Sequence, residues 1–200
     1  MGKVETNKKQ KNTTLLQTSF ELFTEKGFTK TTISDIVNRA GLAKGTFYLY
    51  FKDKYDLRDR LVTYKTSQLF GNAHTALIEQ NIQGFENQMF FVIDHIIDRL
   101  EKLLQFISKN LSWGIFKNAF EKTVPENSRQ FYDYYQDMLT QNHISCENQE
   151  LMLFTILELV GSTCYSCILY QQPVSMEEYL PYLHQTIRQI FITFTKPMAD

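Results

Sequence analysis

Lys44, Gly45 and Thr46 stand together at the start of the stretch KGTFYLYFKDK, which also carries Tyr48, Tyr50 and Lys54. The first three combine a long cationic donor, a backbone without a side chain, and a hydroxyl with an attached methyl. At the opening turn of a helix such a trio can meet an anion or the edge of a nucleic-acid base. Lysine reaches guanine O6 and N7 or a phosphate, glycine permits close approach, and threonine offers its methyl to thymine or its hydroxyl to a phosphate. No Ser-His-Asp order, glycine-rich phosphate loop or paired-carboxylate motif occurs in the sequence, so no enzymatic activity is expected.

Cysteine and histidine offer less. Cys164 and Cys167 form a C-x-x-C, but inside an apolar helical run rather than beside turns, and no second Cys/His pair at zinc-ligand spacing accompanies them. Small buried thiols are the expected reading, with a redox or metal sensor as the alternative. No metal or other cofactor is expected. The histidines His74, His95, His143 and His184 are scattered, and His95, flanked by Ile93 and Ile96, is a candidate hydrogen-bonder in a pocket.

The elements that must position the KGT trio are legible around it. Apolar residues Leu15, Leu16, Phe20, Leu22 and Phe23 recur at helical spacing, and Lys26-Gly27 supplies a basic last turn and a residue free to take φ > 0. Thr32 is placed to cap a short helix by accepting from the amide of Asp35, with Ile33, Ile36, Val37 and Ala40 on its buried face. Gly41 ends that helix. A second helix of about the same length follows, with Phe47 and Phe51 facing inward and Tyr48 and Tyr50 left pointing elsewhere. Two short helices joined by a glycine turn on a preceding amphipathic helix form a helix-turn-helix unit.

The run TTISDIVNRAGLAKGTFYLYFKDKYDL, preceded by SFELFTEKGF, closely resembles the DNA-binding domain of the TetR-type (tetracycline repressor family) bacterial transcriptional regulators. The resemblance covers about the first quarter of the chain. It implies that Thr32 and Tyr48 sit where phosphate contacts are common, Tyr50 where a groove-facing aromatic or histidine is common, and Lys54 where a lysine grips the DNA backbone. Ser34 departs from the pattern, because many members carry a base-reading arginine there; its shorter side chain means that no operator can be borrowed from a relative.

Beyond the head the sequence reads as helices throughout, with no strand alternation. A long helix continues from residue 55 toward 77, and an apolar-striped one spans about 85–110. Shorter aromatic helices follow at about 111–120 and 131–139. The last two helices, about 148–170 and 176–195, are respectively apolar nearly all round and apolar on one face. The expected fold is all-α: a three-helix head over residues 1–53, with 1–12 as a mobile arm, and a larger helical domain over 54–200. The resemblance implies that the larger domain encloses an effector pocket and that the last two helices pair with those of a second copy. The pocket candidates are His95, Trp113, Phe116, Phe120, Tyr134, Tyr135, Met138 and Tyr165, which suit a flat or greasy ligand. Core packing explains the same residues.

Charge agrees with this division. Residues 1–60 hold 12 Lys/Arg against 7 Asp/Glu, whereas residues 61–200 hold 9 against 15. Lys8, Lys9, Lys11, Lys30 and Lys52 add to the basic head, which points to a polyanionic partner at that end. The three cysteines without a disulfide pattern fit a cytoplasmic setting. No apolar run is expected to reach the roughly 20 residues that span a bilayer, so no membrane partner is expected. The implied function is that of a homodimeric repressor released from double-stranded DNA by a small apolar or aromatic effector. The alternative keeps the same head in an activator or co-activator whose body recruits a protein.

Overall fold

The computed structural model describes residues 3–104 and 126–197. Trp113, Phe116 and Phe120, with the expected helix at 111–120, lie outside the described residues. The chain divides into two compact units, Met1–Tyr64 and Lys65–Asp200.

The first unit holds α1 (Lys3–Lys26), α2 (Ile33–Arg39), α3 (Lys44–Tyr48) and the start of α4 (Lys54–Glu79), a continuous helix that runs on into the second unit. Its core is made by Leu15, Leu16, Leu22, Phe23, Ile36, Val37, Phe47, Phe51, Leu57, Leu61 and Val62, all buried. Burying side chains of this size contributes about 1.5–3 kcal/mol each. Glycines close the helices as expected: Gly27 has φ +81° after α1, and Gly41 has φ +66° in the turn after α2. Thr31 is fully buried between them, its hydroxyl donating to the carbonyls of Gly27 (2.9 Å) and Leu22 (3.3 Å). Two expectations need correction here. Residues 3–12, expected as a mobile arm, are the first turns of α1, because a stretch of Lys, Gln, Glu and Asn without Gly or Pro gives the helix no reason to stop. The second short helix, expected to match the first, is only five residues long against seven.

The second unit contains α5 (Phe85–Leu104), α6 (Glu126–Gln141), α7 (Gln149–Tyr170) and α8 (Met176–Phe194). Helices α7 and α8 pack closely on one another, and α5 touches α6, α7 and α8. The common core includes Phe70, Met89, Ile93, Tyr135, Met152, Ile156, Leu183, Ile187 and Phe191. Asn148 caps α7 by accepting from the amide of Leu151 at 3.0 Å, and Ser175 caps α8 by accepting from Glu178 at 3.2 Å. A short ribbon departs from the expected absence of strands: β1 (Ile144–Cys146) pairs antiparallel with β2 (Thr195–Pro197), Ser145 opposite Lys196. Three residues each are too few to show alternation in sequence.

Helix α7 also amends the expectation about apolar runs. Its 22 residues are long and apolar enough to cross a bilayer by length and composition alone. Met152, Leu153, Ile156, Leu157, Cys164 and Cys167 from this helix are nevertheless buried in the unit, and Glu150 and Glu158 lie on it. The two thiols are free, and burial pushes that of Cys164 up to about 12 and raises that of Cys167, which leaves little reactive thiolate.

Candidate nucleic-acid interface

At the start of α2, Thr32 and Asp35 form a reciprocal cap: Thr32 Oγ1 accepts from the Asp35 amide at 3.1 Å, and Asp35 Oδ2 accepts from the Thr32 amide at 2.9 Å and from the Thr32 hydroxyl at 2.8 Å. Those bonds to Thr32 hold the Asp35 carboxyl below its ordinary pKa, with Lys26 and Arg39 adding to the effect. Arg39 at the end of α2 reaches back to α1, where both Glu25 carboxylate oxygens accept from it at 2.8 and 2.9 Å. Asp53 Oδ1 accepts from the amides of Tyr55 (2.8 Å) and Asp56 (2.9 Å), so the first turn of α4 is already capped from within the chain.

Helix α3 is held by Phe47 and Phe51, both buried, with ring centroids 5.5 Å apart. Its N-cap, Ala43, makes no side-chain cap bond. Lys44 and Gly45 are exposed and Thr46 is half-buried; Tyr48 is 54% exposed with its ring edge-on to Phe47 at 5.3 Å. Tyr50 is half-buried against Phe51. Ser34 is exposed near the start of α2 and Thr32 lies just before it. Ser34 thus lies on α2 and Lys44, Gly45, Thr46 and Tyr48 on α3, with Thr32 just before α2 and Tyr50 just after the C-cap of α3. Lys44 has no ion pair among the described residues.

Gly45 has no conformational reason to be glycine. Its φ is not positive, and a Cβ built there meets nothing within 4 Å. Glycine inside a helix costs about 0.5–1 kcal/mol relative to alanine. No atom of the head comes close enough to exclude a side chain at this position.

Lys54 is occupied differently from the rest. Its ammonium donates to the carbonyls of Phe28 (2.8 Å) and Thr31 (2.9 Å), with Thr29 at 3.4 Å, and lies 4.4 Å from the centre of the Phe28 ring. An ammonium has three donors, and here they close the loop between α1 and α2. Sequence reasoning missed Leu49. It is 76% exposed beside Tyr48, and the signal was available in its spacing from the two buried phenylalanines.

In the second unit, a cavity of about 230 Å³ lies between α4, the α4–α5 loop and α6. Tyr134 and Met138 line it with His74, Gln88 and Asp137, and the His74 imidazole stacks flat on Tyr134 with centroids 3.6 Å apart. Burial lowers the His74 pKa, against the opposing charge of Asp137. The other described pocket candidates lie elsewhere. Tyr135 is fully buried with its hydroxyl donating to the Gln149 carbonyl at 3.1 Å, and Tyr165 packs edge-on against Tyr170. His95 sits against Phe91, and its buried Nε2 has no hydrogen-bond partner among the described residues. No group of three or more His, Cys, Asp or Glu among the described residues is placed to hold a metal ion.

Residues 15–61 match the family model described as bacterial regulatory proteins, tetR family. Over 64 residues the chain is 45% identical to the uncharacterized HTH-type transcriptional regulator YvdT of Bacillus subtilis (strain 168), a match that takes in 30% of this chain and 33% of that protein. The chain spans between 16% and 44% of the length of the first three curated relatives it matches. The fold extends further than the sequence likeness. A tetR-family regulator structure from Mesorhizobium loti superposes with TM-score 0.63 at 18% identity over 94% of this chain and 98% of that one. The regulator FadR from Bacillus subtilis, solved in complex with stearoyl-CoA, superposes with TM-score 0.54 at 17% identity over 88% and 96%.

Proposed function

We propose a homodimeric repressor, on the premise that this chain belongs, through residues 15–61, to the tetR family of bacterial regulatory proteins. As such it is a DNA-binding transcriptional regulator and not an enzyme. The observation that carries the reading is the open face of α3: Lys44, Gly45 and Tyr48 are exposed and present donors and a bare backbone, with Thr46 half-buried beside them. Lys44 and Thr46 reach base edges or phosphates, Gly45 lets the helix start lie close to DNA, and Tyr48, Tyr50, Thr32 and Ser34 flank the contact. Lys54 contributes indirectly, by fixing the loop that precedes Thr32.

The dimer would form through α7 and α8. On α8 the exposed residues Tyr182, Gln185, Thr186, Gln189, Ile192 and Thr193 recur at helical spacing and carry no charge; the exposed charges of this helix are Glu177 and Glu178 in its first turn and Arg188 at the edge of the stripe, which pairs with Glu86. Tyr182 and Ile192 are each 65% exposed. A helix face meant for water normally carries charge, whereas an interface core is depleted of it. Two heads would then meet half-sites about one helical turn apart, roughly 34–36 Å.

The effector would be small and largely apolar or aromatic, with one flat end in the cavity on the His74–Tyr134 stack. The stearoyl-CoA complex of the structural neighbour makes acyl-CoA thioesters the first probes. The experiment is release of a labelled operator duplex from the full chain while acyl-CoAs of increasing length and planar aromatics are titrated. A coupling of about 1–3 kcal/mol between effector and DNA, or roughly 5–150-fold in affinity, is expected. Release by a polypeptide and by no small molecule would favour the protein-recruiting alternative instead.

A further inference from the structure

A helix advances about 100° per residue, so a residue two positions away points roughly opposite. Phe47 and Phe51 define the inward pole of α3, both being buried. Gly45 is two positions before Phe47, and Leu49 lies two after Phe47 and two before Phe51, so Gly45 and Leu49 occupy the outward pole at i, i+4 spacing. Leu49 keeps right-handed helical angles (φ −73°, ψ −21°) as the C-cap of α3, so the periodicity holds through it. The most outward side chain of the helix is therefore an isobutyl group, more exposed than any other large apolar residue described. Beside it, at Gly45, the surface has no side chain.

An exposed leucine stabilises nothing in the head, and nothing in this unit covers it. In a major groove the only apolar feature presented by a base edge is the C5 methyl of thymine. We propose that Leu49 is a specificity-determining residue that packs on a thymine methyl in each half-site, with the bare backbone of Gly45 admitting the neighbouring base edge. The inference rests on the reading that α3 enters DNA, and it adds what that helix recognises at its C-terminal end: an A·T pair oriented to present its methyl to Leu49. Lys44 and Thr46 supply polar contacts at the N-terminal end of the same helix, while Leu49 supplies a contact that discriminates without a hydrogen bond.

The test uses the full chain. Duplexes selected from a random pool give the preferred site, and each thymine in it is then replaced singly by deoxyuridine, which removes only the methyl. Burying one such group is worth about fourfold in affinity. One thymine per half-site should show that loss with the wild-type chain and no loss with Leu49→Ala, while the two proteins melt at the same temperature. Methyl losses of equal size in both proteins, or none at any thymine, would overturn the role of Leu49 and leave DNA binding by α3 standing. Failure of the wild-type chain to enrich or bind any duplex would overturn both readings.

Discussion

The Lys54 ammonium lies 4.4 Å from the centre of the Phe28 ring and donates to the Phe28 carbonyl at 2.8 Å, so one side chain at the start of α4 closes the loop that follows α1. The Phe28 ring in turn packs edge-on against Phe23 and Tyr55, at 5.1 and 5.4 Å. The loop leads through Thr31, whose carbonyl takes a second bond from the same ammonium, to the cap at Thr32. A lysine expected to grip DNA thus spends its donors on the protein.

Lys54→Ala should accordingly weaken the head, by about 1–2 kcal/mol for lost charge-assisted hydrogen bonds. Hydrogen exchange should accelerate at residues 28–31. The salt dependence of DNA affinity should keep its slope, whereas Lys44→Ala should reduce it by about one unit. The opposite pattern, with the slope falling for Lys54 and not for Lys44, would return Lys54 to the phosphate backbone.

Gly45→Ala separates folding from binding. The helix should gain about 0.5–1 kcal/mol, read as a higher melting temperature, because the new methyl meets no protein atom. DNA affinity should fall nonetheless. A variant that is more stable and still binds fully would mean that the groove leaves room at this position.

Acid should loosen the head through Asp35. Its folded pKa lies below the ordinary 3.8, principally because the backbone amide of Thr32 bonds the carboxylate. Stability from that bond is fully present above the unfolded pKa and is lost as pH falls from near 3.8 through the lower folded value. Asp35→Asn should remove this portion of the acid transition. Thr32→Ala should also cost about 1 kcal/mol at neutral pH, as lost N-caps do. Melting curves at pH 7 and below pH 4 measure both effects.

Charge placed on the outward face of α8 should leave the fold intact and dissociate the pair. Ile192→Lys and Tyr182→Glu are expected to give folded monomers by sedimentation, with DNA affinity reduced because each head then binds a half-site alone. A dimer that survives both substitutions would place the interface elsewhere.

How much of this was legible beforehand differs between the two units. In the head, Gly27, Gly41, the Thr32–Asp35 pair and the Phe47–Phe51 spacing each have one physical use, and the structure employs all four as read. The head hid two things. The occupation of Lys54 depends on carbonyls more than twenty residues away, and the exposure of Leu49 is obscured by its being apolar among apolar neighbours. In the body, an apolar stripe fixes which face of a helix is buried but not whether it meets a core or a cavity. Tyr134 and Tyr135 are adjacent in sequence, yet one lines a cavity and the other is sealed in the core.

Selection of binding sites from a random duplex pool by the full chain tests the central claim most directly. The account predicts an enriched pseudo-palindrome with half-site centres about one helical turn apart, bound with an affinity that falls steeply as salt rises. Enrichment of no sequence, with no salt-dependent binding at any ionic strength, would contradict it.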